Sequence, residues 1–298
     1  MAAMSAADDL IVLLAAQAPP GLIEVSLHAS GDAALAAAVA SAAASAVVTL
    51  QHPATPIEGA LRALSPYCYR CPIGLTYPSC EIACLDSLAT ILRDHPGAAV
   101  VVEPAAEITG GMVTAPPGHL RRVRELCDAA GASLIADERT TGGGRSGFLW
   151  AVTRDGIAPD VLVAGQGIAS GIGATLSKEV IPGGSAGDAA VTDALSHLRR
   201  VTHGTFLGEA RRKASNLTDA LTTLAGHPRV GDVRVRGLLA GIELVEDKES
   251  KEPLDAAPFA ARIPHATAAG NTLIIAPPLD IDDAAIDAIA RAIVAALS

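Results

Sequence analysis

Short apolar runs that each close on a polar residue or a glycine recur through this chain, and they constrain its fold more than any other feature. They lie at residues 22–27, 47–50, 98–102, 133–136 and 161–164. Helical stretches separate them. Ser30-Gly31-Asp32 opens an alanine-rich helix, with Asp32 as its expected N-cap. Residues 119–130 place Leu120, Val123 and Cys127 at helical spacing. Strand-like runs alternating with helices predict an α/β fold with a largely parallel sheet. In such sheets ligands sit beyond the carboxyl ends of the strands. Here those ends carry Ser30, Glu103, Asp137 and Gln166, which predicts a single cleft. Beyond about Val230 the pattern changes. A strand at 238–245, a polar run at 246–252, a strand at 272–276 and an amphipathic helix at 283–297 predict a small C-terminal domain. The expected division is a large domain over 1–205, a connecting helix over 206–229 and a small domain over 230–298.

Composition narrows the partners. The 298 residues suffice for a sizeable core. Half are hydrophobic but only 2% aromatic, so small aliphatic side chains must build that core. With 32 acidic against 22 basic residues and a net charge of -10, the chain has no basic stripe for nucleic acid or an anionic membrane. The apolar run at 10–16 is too short to cross a bilayer. Asp8 and Asp9 precede it where a secretory signal would be basic, so a cytoplasmic protein is expected. Four of the five cysteines, Cys68, Cys71, Cys80 and Cys84, are spaced C-x2-C and C-x3-C. That spacing admits a tetrahedral zinc site. The alternative is a loop of free thiols, and a disulfide suits a reducing compartment poorly.

Several ordered segments resemble class III, pyridoxal-phosphate (PLP)-dependent aminotransferases, the group of ornithine and 4-aminobutyrate aminotransferases. They are VVVEPAAEITGGMVTAPPGHLRRVRELCDAAGASLIADE, ERTTGGGRSG, PDVLVAGQGIASG, HGTFLGEA, VGDVRVRGLLAGIELVEDKESKEP and NTLIIAPPLDI. The cysteine segment YCYRCPIGLTYPSC also resembles a family loop that needs no metal. The resemblance implies a fold-type-I large domain, a small α/β domain and a dimer with its active sites at the interface. It also implies a family segment ahead of this chain's first residue, and shortened stretches after Gly208 and between Pro253 and Asn271.

The departures from the family pattern carry the functional argument. Gln166 stands where the family has the Schiff-base lysine, and an amide nitrogen, delocalised into its carbonyl, is neither nucleophile nor base. Arg139 stands where a valine packs on the cofactor ring, and Thr140 where a glutamine lies near the ring hydroxyl. Gln51-His52-Pro53 replaces the aromatic stacking motif. Asp32 falls in the phosphate cup, where a carboxylate opposes the anion that a helix N-terminus favours. Ile274 replaces the arginine for the substrate carboxylate. The resemblance retains Asp137, Glu138, Arg145 and Thr205. As remnants of a cofactor site it leaves Ser30, Gly31, Asp137 and Thr205.

Three functional readings follow. The first is an aminotransferase-fold pseudoenzyme, expected to hold no cofactor and to act as a structural or regulatory subunit. Its partner would be a second copy or a full-length aminotransferase homologue, with Thr205 and Gly204 lent to the partner's phosphate site. The second is cofactor-independent acid–base chemistry in the old cleft, expected to be lined by Asp137, Glu138, Arg139 and His203. The third is a non-covalent PLP binder. Residues two apart on a strand share a face, so Arg139 is expected to fold over Asp137. His52 and His203 are candidate general bases, or else ordinary loop histidines. Lys178, past the glycine turn at a strand end, and Lys213, expected to be solvated in a basic helix start, are not expected to replace the missing lysine.

Overall fold

The computed structural model describes residues 5–50, 56–246 and 248–298. The elements in chain order are α1 (Ala6–Ala16), β1 (Glu24–His28), α2 (Gly31–Ser41), β2 (Val47–Leu50), β3 (Leu61–Ala63), α3 (Asp86–Asp94), β4 (Ala99–Val102), α4 (His119–Ala130), β5 (Ser133–Glu138), β6 (Val161–Ala164) and β7 (Gly173–Ser177). After them come α5 (Asp188–Thr202), α6 (Phe206–Thr222), β8 (Val230–Val235), β9 (Ala240–Leu244), α7 (Ala257–Ala260), β10 (Ala266–Ala269), β11 (Thr272–Ile275) and α8 (Asp283–Leu297).

A seven-stranded sheet in the order β1-β7-β6-β5-β4-β2-β3 forms the large unit. Its run from β6 to β3 is parallel, and β7 lies antiparallel between β1 and β6. The central strands β4 and β6 are buried along their whole length, because helices cover both faces. Alternate residues divide between the two layers. Val100, Val102, Leu134 and Leu162 join the main core, while Val101, Ile135 and Val163 pack with Ala34, Leu35 and Ala38 of α2. The alanines of α2 let that helix lie close to the sheet. A second, antiparallel sheet, β10-β11-β9-β8, forms the C-terminal unit with α8.

Helix α1 is nucleated by a capping box. The Ser5 side chain accepts from the Asp8 N–H, and the Asp8 carboxylate accepts from the Ser5 backbone. The indole Nε1 of the buried Trp150 donates to the Gln17 carbonyl at 2.9 Å and fastens the end of α1 to the loop after β5. No helix among the described residues is long and apolar enough to cross a membrane. The helix cap of α2 differs from the sequence expectation. Ser30, not Asp32, is the N-cap, and its hydroxyl accepts from the Ala33 N–H at 3.1 Å. The shorter hydroxyl reaches back to the first turn, and Asp32, inside that turn, turns its carboxylate to Arg139.

Candidate functional site

Because β1, β4, β5 and β6 run the same way, their carboxyl ends meet at one edge of the sheet. There a cleft of about 350 Å³ is lined by Ser30, Gly31, Asp32, Arg139, Thr140, Gln166, Ser170, Gly171 and Ile172. Of the four strand-end residues expected at a single cleft, Ser30 and Gln166 line it, while Glu103 lines a second, smaller cavity. Ser30, Gly31 and Gln166 lie in its wall, and Asp137 lies beneath it, under Arg139.

Arg139 dominates the site. Its Nε donates to Asp137 Oδ1 at 2.8 Å and its Nη2 to Asp137 Oδ2 at 2.7 Å, a two-pronged pair. The Arg139 backbone N–H adds a third bond to Asp137 Oδ1 at 3.2 Å. Nη1 pairs with Asp32. The side chains of Arg139 and Asp137 are only 7% and 4% exposed, whereas Asp32 is 74% exposed. Burial works against the guanidinium charge, but the bonds and charge of Asp137, with the charge of Asp32, hold Arg139 above the ordinary arginine value. The arginine stem can lie here because two glycines make room. A Cβ on Gly31 would stand 3.0 Å from Arg139 Cδ, and one on Gly165 would stand 3.1 Å from Arg139 Cβ.

Gln166, just past the end of β6, is exposed and donates from Nε2 to Thr140 Oγ1 at 3.0 Å. No lysine is among the lining residues described for the cleft. Lys178 pairs with Asp160 at 2.7 Å on the surface. Lys213 borders a different depression.

Two expected lining residues are elsewhere. Glu138 follows Asp137 on β5, so strand alternation turns it away from the cleft. It is fully buried and accepts from the N–H groups of Ala151 and Val152 at 2.6 and 2.8 Å. Burial pushes its carboxyl up to about 7, against the lowering effect of those two bonds. His203, at the end of α5, borders an open depression with Gly204, Thr205, Phe206 and Lys213, not the cleft. Thr205 is the N-cap residue of α6 and makes no side-chain capping bond there. His52, with Gln51 and Pro53, lies outside the described residues.

Ile274 of β11 is buried in a small apolar cluster with Ala106, Met112 and Leu239. Arg145, retained from the family pattern, donates from Nη1 to the carbonyls of Leu238 and Pro277 at 3.3 and 2.9 Å, joining the large unit to the small one. The four clustered cysteines border one small pocket and are free thiols, from exposed Cys68 to buried Cys84. Burial, then the neighbouring thiols, pushes Cys84 up to about 11. Among the described residues no three His, Cys, Asp or Glu side chains are disposed to hold a metal ion.

A buried polar network that the sequence does not reveal joins the cysteine loop to the small sheet. Glu243 of β9 accepts from the Tyr67 hydroxyl, from Arg70 Nε at 2.6 Å and from Arg234 Nη1 at 2.8 Å. The only sequence signal was a charged residue in an apolar strand, which demands a partner without naming it.

The fold and cleft define a fold-type-I protein of the aminotransferase kind. The profile described as Aminotransferase class-III matches residues 52–297, and the chain belongs to that family. It is 34% identical over 262 residues to adenosylmethionine-8-amino-7-oxononanoate aminotransferase of Geobacter sulfurreducens, covering 76% of this chain and 57% of that relative. It is 36% identical over 212 residues to 4-aminobutyrate aminotransferase of Escherichia coli, covering 63% and 49%. The chain thus spans about half the length of the curated relatives it matches. A thermostable omega transaminase mutant from Pseudomonas jessenii superposes with a TM-score of 0.89 over 99% of this chain and 80% of its own, at 22% identity, a likeness of fold.

Proposed function

We propose that this chain is an aminotransferase-fold protein that does not carry out PLP-dependent transamination and serves as a structural or regulatory subunit. The observation that supports this best is the Arg139 fork on Asp137. In the family pattern Asp137 pairs with the cofactor's pyridinium nitrogen. Here both of its oxygens are engaged by the chain's own guanidinium. The residues present do not fit PLP. No amine lines the described cleft, Gln166 stands at the lysine's place, and Asp32 sets a carboxylate at the helix N-terminus where a phosphate would lie.

The retained Gly204-Thr205 turn at the start of α6 supports an assembly role. It borders a wide surface depression of about 850 Å³, and its open hydroxyl and backbone suit contact with a second subunit. The partner is a second copy or a longer class III aminotransferase.

The test is an amino-transfer assay with saturating PLP over a panel of amino acids and 2-oxo acids, run on the wild type and on Gln166→Lys. Neither is expected to transfer, because Arg139 still occupies Asp137 in the variant. Turnover by the wild type would end this reading. Turnover by the variant alone would place the whole loss at residue 166. Light scattering and co-expression with the host's longer homologues test assembly, and a stable monomer that captures none of them would remove the subunit role.

A further inference from the structure

A second, smaller cavity lies at the same end of the sheet, between the ends of β2 and β4 and the first turn of α4. Its volume is about 20 Å³. Leu50, Val102, Val113 and Leu120 give it apolar walls, and Glu103, Glu107 and His119 are its charged and polar lining residues. Glu107 and His119 are buried, at 4% and 2% exposure. Glu107 Oε2 accepts from the Ser65 hydroxyl at 2.8 Å. Glu107 Oε1 and His119 Nε2 have no protein partner.

A buried polar atom without a partner costs about 1–3 kcal/mol, and two on residues lining one cavity make a shared ligand the economical solution. A water needs roughly 10–15 Å³ of such volume and two to four polar partners. The cavity has room for one such molecule and no more. We propose that Glu107 Oε1 and His119 Nε2 together bind a single buried water molecule in this cavity. The protonation states suit it. Burial, reinforced by the nearby Glu103 charge, raises the Glu107 carboxyl well above its ordinary range and so favours its protonated, donating form. Burial holds His119 down to about 4, so its imidazole is neutral and Nε2 is free to accept. The water accepts from Glu107 and donates to His119. Its other hydrogen is available to Glu103, the second acidic residue of the wall. The site therefore selects a neutral molecule that is both donor and acceptor, and its apolar walls reject a hydrated ion. The resulting chain, Ser65 to Glu107 to water to His119, fastens the segment after β3 to the start of α4 across the end of β4.

The test is a crystal structure of the wild-type protein at a resolution that shows its other internal waters. The expected result is a density peak about 2.7–3.2 Å from both Glu107 Oε1 and His119 Nε2. A dry cavity, or a direct bond between the two side chains, overturns the assignment. Water-oxygen magnetic relaxation dispersion gives an independent count of long-lived internal waters in solution. His119→Phe, which fills the cavity and removes the acceptor, is expected to lose one such water relative to the wild type, and Glu107→Gln none. An equal count in wild type and His119→Phe also overturns it.

Discussion

Replacing Arg139 by valine restores the residue of the family pattern, yet it is expected to destabilise this protein. The guanidinium supplies two side-chain bonds, at 2.8 and 2.7 Å, to a carboxylate that is 4% exposed. Removing one partner of a buried pair strands the other charge, at a cost of about 3–5 kcal/mol. The bond to Asp32 adds little, since that carboxylate is 74% exposed and exposed pairs are worth about 0–1 kcal/mol. For chains of roughly 150–250 residues each kcal/mol moves Tm by about 2–4 °C, so Arg139→Val is expected to lower Tm by roughly 6–20 °C. Asp137→Leu combined with Arg139→Val removes both charges and is expected to recover most of the loss. Urea unfolding of the two single variants and the double variant, read as a thermodynamic cycle, measures the coupling. An unchanged or raised Tm for Arg139→Val refutes the reasoning, because Asp137 would then not depend on the arginine.

Two further outcomes follow from residues behind the cleft. Glu138→Gln leaves one carbonyl oxygen to serve two N–H groups and turns an amide NH2 toward one of them, so urea unfolding is expected to show a loss of about 1–3 kcal/mol. The folded-state value of Glu138 is about 7 against an ordinary 4.5, so the folded protein binds more protons between these limits. The contribution of Glu138 to stability therefore falls as pH rises through that window, and the gap between wild type and variant should narrow from pH 5 to pH 8; a gap constant with pH contradicts the shift. Gly143→Ala is expected to lose far more than the ~1 kcal/mol that such a change gains where the backbone allows it, since φ is +74° and the new Cβ meets the Gly167 carbonyl oxygen. A thermal melt matching the wild type would show that the loop gives way.

Much of the fold was legible because the central strands are buried on both faces and therefore read as unbroken apolar runs. The segments at 47–50 and 161–164 coincide with β2 and β6. The edges were harder. β1 lies two residues later than its first leucine suggests, since Leu22 is buried ahead of the strand and not within it. β7, GATLS, and β8, VGDVRV, carry glycine or charge and lack an apolar pattern. The start of α1 is legible in the Ser5–Asp8 capping box, while the apolar run inside it is too short to mark the helix alone. In the site, residue spacing on β5 placed Arg139 with Asp137, as found. The same alternation applied one residue on would have sent Glu138 behind the sheet. His203, expected in the cleft, borders another depression, and no local sequence pattern reports which face of the molecule the end of α5 reaches.

The central claim, that the cofactor site has been released, is tested most directly by titrating the purified protein with PLP, reducing with borohydride and mapping adducts by mass spectrometry. The account predicts no absorbance band from a bound internal linkage, and only sparse adducts scattered over exposed lysines such as Lys178. A stoichiometric adduct on one lysine, formed at low PLP concentration, would contradict it.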